Sequence, residues 1–468
     1  MKGQVGQARR VGQVGRVGQV TSVAGRRVSR AGFLVVFGLM SVVRLAGAQT
    51  RDQPIRLTLD EAIARGLETS QRIAEATARG DAADAVAGQR RAAQLPQIAA
   101  QAGYTRTNHV DTFGVLLPNN QLRVIYPDIP DNYRSRLDVQ WPVYTGGRLD
   151  ALERAARIEA TASGDEVAAA RRDVALEISR AYWTLVSATA SVSVVEEAVR
   201  RADAHLQDVR NQFAAGLVAP NDVLSIEAQE SRQRMLAIQV RAARDVTAAE
   251  LARLVGLPPG AAIEPAAALE PPAPETLAID ALIETARGRR ADRAALLKRA
   301  EAAGERARAA VAGTKPALSA AGGFDYASPN PRIFPREERW RTSWDVSLNA
   351  SWQLFDGGKV HADAAEAAAL ARAVRARLAD LDAALDLEIR QRATELDSSR
   401  AAISAADAAV RSATEARRVI GDRFRAGVAT STDVVDAQLA LLQAELDRTQ
   451  AVTNARIARA RLDRALGR

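Results

Sequence analysis

The chain has 468 residues, 47% of them hydrophobic, with no cysteine and only 4% aromatics. That excludes disulfides, thiolate metal sites and a lipidated cysteine, and the scarcity of rings suits Ala-rich helix-on-helix packing better than a mixed globular core. The net charge of +8 points to nucleic acid only until it is located: residues 1–48 carry eight bases and no acid, leaving 56 bases against 56 acids elsewhere, so no nucleic-acid partner is expected.

The basic N-terminus reads as an export signal. Residues 1–25 repeat Gly-Gln-Val as a low-complexity extension, and Arg26, Arg27 and Arg30 then precede an apolar run from Ala31 to Val43. Ala46-Gly47-Ala48 has the small-x-small cleavage pattern, so the mature chain is expected to begin near Gln49. The run is too short to span a bilayer as a helix.

Leu57 to Gln94 carries Leu59, Ile63, Leu67 and Ile73 on a helical face and stops at Pro96. Ile98, Ala100, Ala102 and Tyr104 then alternate with polar residues, as in a half-wetted strand. A Pro- and Asn-rich loop is expected over Asp111 to Asn132, followed by a returning strand through Leu137, Val139, Trp141 and Val143. Gly146-Gly147 breaks that strand and opens a helix predicted from Arg148 to Ala214, about 100 Å long at ~1.5 Å per residue. Its seam of Val192, Val195, Val199, Ala202, Leu206, Val209 and Phe213 steps by threes and fours, the spacing of a coiled coil. Gly216, Pro220 and Asn221-Asp222 turn the chain into a second helix running to about Val255. Six prolines between Leu257 and Glu275 mark a linker.

The programme then repeats. Leu277, Ile279, Asp280 and Ile283 stand 220 positions after Leu57, Leu59, Asp60 and Ile63. A strand face of Leu318, Ala320, Phe324 and Tyr326 and a loop from Ser328 to Arg341 follow, then strict alternation through Trp344, Val346, Leu348, Ala350, Trp352 and Leu354. Past this shorter loop the offset becomes 211: Gly357-Gly358 matches Gly146-Gly147, Gly427 matches Gly216, and Asp433 matches Asp222. The second seam is Ile403, Ala406, Val410, Ala413, Arg417, Ile420 and Phe424, in which only Arg417 departs from apolar character. The domains are therefore residues 1–48 as extension and signal, 49–256 as first repeat, 257–276 as linker, and 277–468 as second repeat.

Four strands of bilayer-spanning length, apolar on one face and polar on the other, suit a barrel wall with lipid outside and water inside. Lipid tolerates no open sheet edge, and four strands cannot close a barrel, so the chain is expected to share one with other copies. The helices are too polar for lipid and belong in an aqueous space.

Trp141-Pro-Val-Tyr-Thr-Gly-Gly147, its partner Trp352-Gln-Leu-Phe-Asp-Gly-Gly358 and the two tips with Asp-Val six residues after Gly together resemble the TolC family of outer-membrane efflux channels. The likeness runs from Leu57 to Gly467. It implies a homotrimer whose chains each give four strands to a shared 12-stranded barrel in outer-membrane lipid and duplicated helical hairpins to a periplasmic tunnel. It also implies a periplasmic adaptor and an inner-membrane transporter as partners, serving efflux or type I secretion. By the same likeness Gly216 and Leu217, with Gly427 and Val428, are adaptor-contact tips, and Asp433, Asp436 and Asp222 belong to a pore constriction. The Tyr and Arg that partner the acid at position 222 in some members are here Phe424 and Ala429, so closure is expected to rest on the seam of Val209, Phe213, Ile420 and Phe424. A plainer reading makes Asp222 a helix cap, and for Asp433 and Asp436 capping and pore lining both stand.

No chemistry is encoded elsewhere. His109, His205 and His361 are far apart, are expected to be solvated, and fit no metal motif. Gly357-Gly358-Lys359-Val360 lacks the Ser or Thr of a phosphate loop, so neither enzyme activity nor a cofactor is expected. The rival from another class is a secreted periplasmic coiled-coil protein with no channel.

Overall fold

The computed structural model describes residues 55–274 and 278–468. The signal segment, the start near Gln49 and Leu277 lie outside the described residues.

A short strand β1 (Ile55–Leu57) leads into α1 (Leu59–Thr69) and α2 (Gln71–Ala92). Thr58 and Glu61 form a reciprocal capping box at the start of α1: the Thr58 N–H donates to Glu61 Oε2 at 2.9 Å and the Glu61 N–H to Thr58 Oγ1 at 3.3 Å. The single helix expected from Leu57 to Gln94 is thus two, because Ser70 is extended at ψ 119. Strands β2 (Gln97–Arg106), β3 (Phe113–Leu116), β4 (Leu122–Tyr126) and β5 (Asp131–Tyr144) follow. The segment expected as a loop therefore holds a hairpin, β3 paired with β4 around a turn in which Asn120 takes a left-handed φ of 58. Its Pro and Asn residues mark the turn, and the flanking runs are too short to show a period.

Helix α3 (Arg148–Ala214) is 67 residues long, begins after the left-handed Gly147, and is followed by α4 (Pro220–Leu254). The proline-rich segment is not bare linker. Its β6 (Ile263–Pro265) pairs in parallel with β1, and the Ala267 N–H donates to the Tyr182 hydroxyl at 3.2 Å, which itself donates to the Leu57 carbonyl at 3.0 Å. The second repeat runs through α5 (Ile279–Arg289), α6 (Ala291–Val311), β7 (Ala317–Ser328), β8 (Arg341–Ser351), α7 (Lys359–Arg425) and α8 (Ser431–Ala465). The extended Arg290 between α5 and α6 copies the break at Ser70, 220 positions on. Strand β8 stops at Ser351, so Trp352 and Leu354 lie beyond it.

The duplication reaches the cores. Val174, Ile178, Leu185, Leu251 and Val255 are buried where β1, α1 and β6 pack against α3 and α4, the equator of the helices, and Leu385, Ile389, Leu396, Leu462 and Leu466, each 211 positions later, are buried in the second repeat. The sheet runs β2-β5-β7-β8, antiparallel throughout, with one edge of β2 and one of β8 unpaired. The helices above the equator pack in the same sequence, α2 on α3 on α6 on α7, so each strand continues into its own helix. Below the equator the sequence is α4, α3, α8, α7. The described residues form a wall one element thick and four abreast. No helix among the described residues is long and apolar enough to cross a membrane.

Candidate functional site

The register of the sheet places all large apolar strand residues on one face. Ile98 faces Val139, Leu137 faces Phe324, and Phe324 faces Trp344, while Val346 and Leu348 continue the same face on β8. Apart from half-buried Val139 these side chains are exposed, Val346 to 76%. A broad exposed apolar face of this kind needs a non-aqueous neighbour.

Aromatics band both ends of that face, as at the two borders of a bilayer. At one end Tyr104, Tyr133, Trp340 and Tyr326 stack in series, with ring centroids 5.0, 6.0 and 4.7 Å apart. At the other, Trp141 Nε1 donates to the Gln94 carbonyl and Trp352 Nε1 to the Thr314 carbonyl, both at 3.1 Å. Donors are 211 positions apart and acceptors 220, so the anchor is duplicated.

The opposite face is charged. Asp325 of β7 has a fully covered side chain and accepts from Arg134 Nε at 2.6 Å and from Arg136 Nη1. Arg136 also reaches Asp138 at 2.6 Å and Asp345 at 3.2 Å, and Arg332 from the β7–β8 loop meets Asp345 at 2.7 Å. The Arg136 guanidinium lies over Gly323, where a Cβ would fall 2.1 Å from Nη2. Three strands are tied together by a balanced set of ions on the wetted side. The alternation of Arg134, Arg136 and Asp138 along β5 carried that signal, but the pairing needed the register.

At the far end of the helices the two tips are alike. Gly216 and Gly427 both have φ 75, with 6→1 bonds from the Leu217 N–H to the Gln212 carbonyl and from the Val428 N–H to the Arg423 carbonyl, each 2.9 Å. Leu217 and Val428 stand out into solvent at 74% and 62% exposure. Each tip thus presents an exposed apolar side chain directly after its glycine.

The three acids do different things in the protomer. Asp433 accepts at Oδ2 from the Thr430 N–H and hydroxyl, both 2.8 Å, while the Asp433 N–H donates to Thr430 Oγ1 at 3.2 Å. Those bonds, the backbone one foremost, hold its carboxyl below the ordinary value. Asp222 accepts from the Ala219 N–H at 3.3 Å, so it too closes a helix start. Asp436, one turn beyond Asp433, is exposed.

The expected seam is only partly brought together. Val209 and Phe424 share a cluster with Leu206, Ile226, Val218, Val223 and Val435. Phe213 is 45% exposed, beyond that cluster, and Ile420 is half-buried on α7. Among the described residues helix α7 has a neighbour on one side only in this half, α8, which leaves its seam half-covered.

His205 corrects the expectation that all three histidines are solvated. His109 is exposed and pairs with Asp128 at 2.7 Å, and His361 is exposed, but His205 is 5% exposed. Its Nε2 lies 2.9 Å from Ser431 Oγ, and its ring is edge-on to Phe424 with centroids 5.2 Å apart. Burial pushes it below the ordinary histidine value, opposed by a hydrogen bond at Ser431 and by the Asp208 charge. Sequence spacing gave no hint, since position 205 falls one residue before the seam position Leu206.

A profile of outer membrane efflux proteins matches residues 62–257 and 282–468. A search of curated proteins found no match. Among solved structures, the chain resembles the outer membrane protein VceC of Vibrio cholerae at 23% identity and a TM-score of 0.73, covering 87% of this chain and 96% of that one. It also resembles the CmeC outer membrane channel of Campylobacter jejuni at 15% identity and TM-score 0.73, covering 87% and 85%. The open-state MtrE outer membrane channel of Neisseria gonorrhoeae matches at 18% identity and TM-score 0.71, covering 87% and 88%. With both matched stretches coinciding with the two repeats, the chain belongs to the outer membrane efflux protein family, and its place is the outer membrane, with the helical portion in the periplasm.

Proposed function

We propose that three copies of this chain form the passive exit duct of a tripartite efflux or type I secretion system. Each copy supplies four of twelve strands and, at every level, four of twelve wall helices. The observation carrying the reading is the four-abreast wall whose sheet and helix layers have the same sequence and open edges on both sides. An unpaired strand edge in lipid costs several kcal/mol per group, so the edges require partners of the same make. On α4, Met235, Ile238 and Val246 form an exposed apolar stripe along one open edge of the helical wall, suited to a neighbouring α7.

The barrel end opens to the outside and the tips point toward an inner-membrane pump. Leu217 and Val428 meet the periplasmic adaptor, while Asp433, Asp436 and Asp222 lie around the constriction. The pump selects the cargo and the duct performs no catalytic step. Purified protein in planar bilayers is expected to conduct ions, and its loss is expected to make cells retain a dye exported by the cognate pump. Absence of both effects contradicts the proposal.

A further inference from the structure

The two hairpins of one protomer meet in the tip half where α3 packs on α8, with α7 behind. Few polar contacts cross that seam. Arg201 of α3 reaches Glu445 of α8 at 3.0 Å, and one turn nearer the tip His205 touches both arms of the second hairpin: α8 through Ser431 at 2.9 Å and α7 through the Phe424 ring. Below His205, among the described residues, the seam is closed by the apolar cluster of Leu206, Val209, Ile226 and Phe424. It is therefore the last polar tie before the entrance.

The tie is not a by-product of the duplication. The position matching His205 in α7 is Ala416, and the position matching Ser431, by the tip offset of 211, is Pro220. Neither can reproduce the contact, so it exists at the seam inside each protomer and at no equivalent seam of α7.

We propose that His205 is a proton-released latch: neutral, it holds α3 against α7 and α8 at the entrance, and protonated, it lets the two hairpins part. The proposal rests on the duct reading for its purpose but not for its physics. An imidazolium sealed between Phe424 and an apolar cluster lacks the water it would have once the hairpins separate.

The charges around the ring do not replace that water. On α3, Asp208 attracts a proton to the ring without contacting it. On α8, Asp433 is engaged with Thr430 and Asp436 is exposed. On α7, half-buried Arg417 is a further positive charge, acting on Glu197. On α4, buried Glu230 is held by Arg234. The sign follows from burial. The ring's pKa is depressed in the closed state and ordinary, about 6.5, once hydrated. The latch holds fully above that ordinary value and weakens as pH falls from it toward the depressed one.

The chain has no cysteine, so two spin labels can be placed uniquely. Leu217→Cys with Val428→Cys labels the two tips of each protomer in the full-length protein in detergent. Pulsed electron paramagnetic resonance is expected to give short, narrow tip-to-tip distances at about pH 8 and longer, broader ones at about pH 5.5. Adding His205→Phe, or His205→Gln as a second variant that keeps a polar group toward Ser431, is expected to abolish the change. Distances independent of pH with His205 present, or the same change in both variants, overturn the latch. Conductance read on the same samples separates the two claims. Tip movement without current contradicts the duct and supports the latch, while current without histidine-dependent movement supports the duct and overturns the latch.

Discussion

At the scale of single residues, the helix cap that Asp433 forms is compatible with the pore-lining role proposed for it. Asp433 uses Oδ2 to cap α8 through Thr430, and the cap leaves the carboxylate charged. Because the folded pKa is depressed, the capping contribution is complete above the ordinary carboxylate value and lost only as pH falls through the depressed one. With its carboxyl held below the ordinary value, Asp433 is charged around the ordinary histidine value, where the His205 latch begins to weaken. In the proposed trimer, three charged copies around a narrow axis would gather cations. Asp433→Asn with Asp436→Asn is expected to lower cation selectivity in planar bilayers while leaving assembly intact. An unchanged reversal potential would limit both acids to the helix start.

At the scale of elements, the strands depend on the charged face as much as on the apolar one. Asp325 is fully covered and held by Arg134 and Arg136. Arg136→Met keeps the volume but removes one of its two cations together with the links to Asp138 and Asp345. A loss of stability is expected, since a covered carboxylate is left short of donors. A melting temperature of the assembly equal to the parent's would show that the network contributes nothing to stability. Much of this layer was legible in sequence. Period-two alternation located all four wall strands, and α3 runs from Arg148 to Ala214 as its pattern predicts. The breaks at Ser70 and Arg290 were hidden because one extended residue leaves a helical period almost intact. The β1–β6 pairing was hidden because three-residue strands carry no period. His205 was hidden because its burial comes from α7 and α8, more than 200 positions away.

At the scale of the whole molecule, the protomer is a fragment of a surface rather than a closed body. Its sheet and helices share one lateral order, so closing the sheet closes the tunnel beneath it. Its open edges carry unpaired backbone in the sheet and the Met235, Ile238 and Val246 stripe on α4. Among the described residues nothing covers the face carrying Phe324, Trp344 and Val346. Joining copies edge to edge would pair the open edges and leave the apolar face to lipid, and in the proposed twelve-stranded wall four strands per chain set the number at three. Multi-angle light scattering of the detergent-solubilised protein, corrected for bound detergent, tests this most directly. The account predicts a single species with the mass of three chains, and a monodisperse, folded single chain would contradict it.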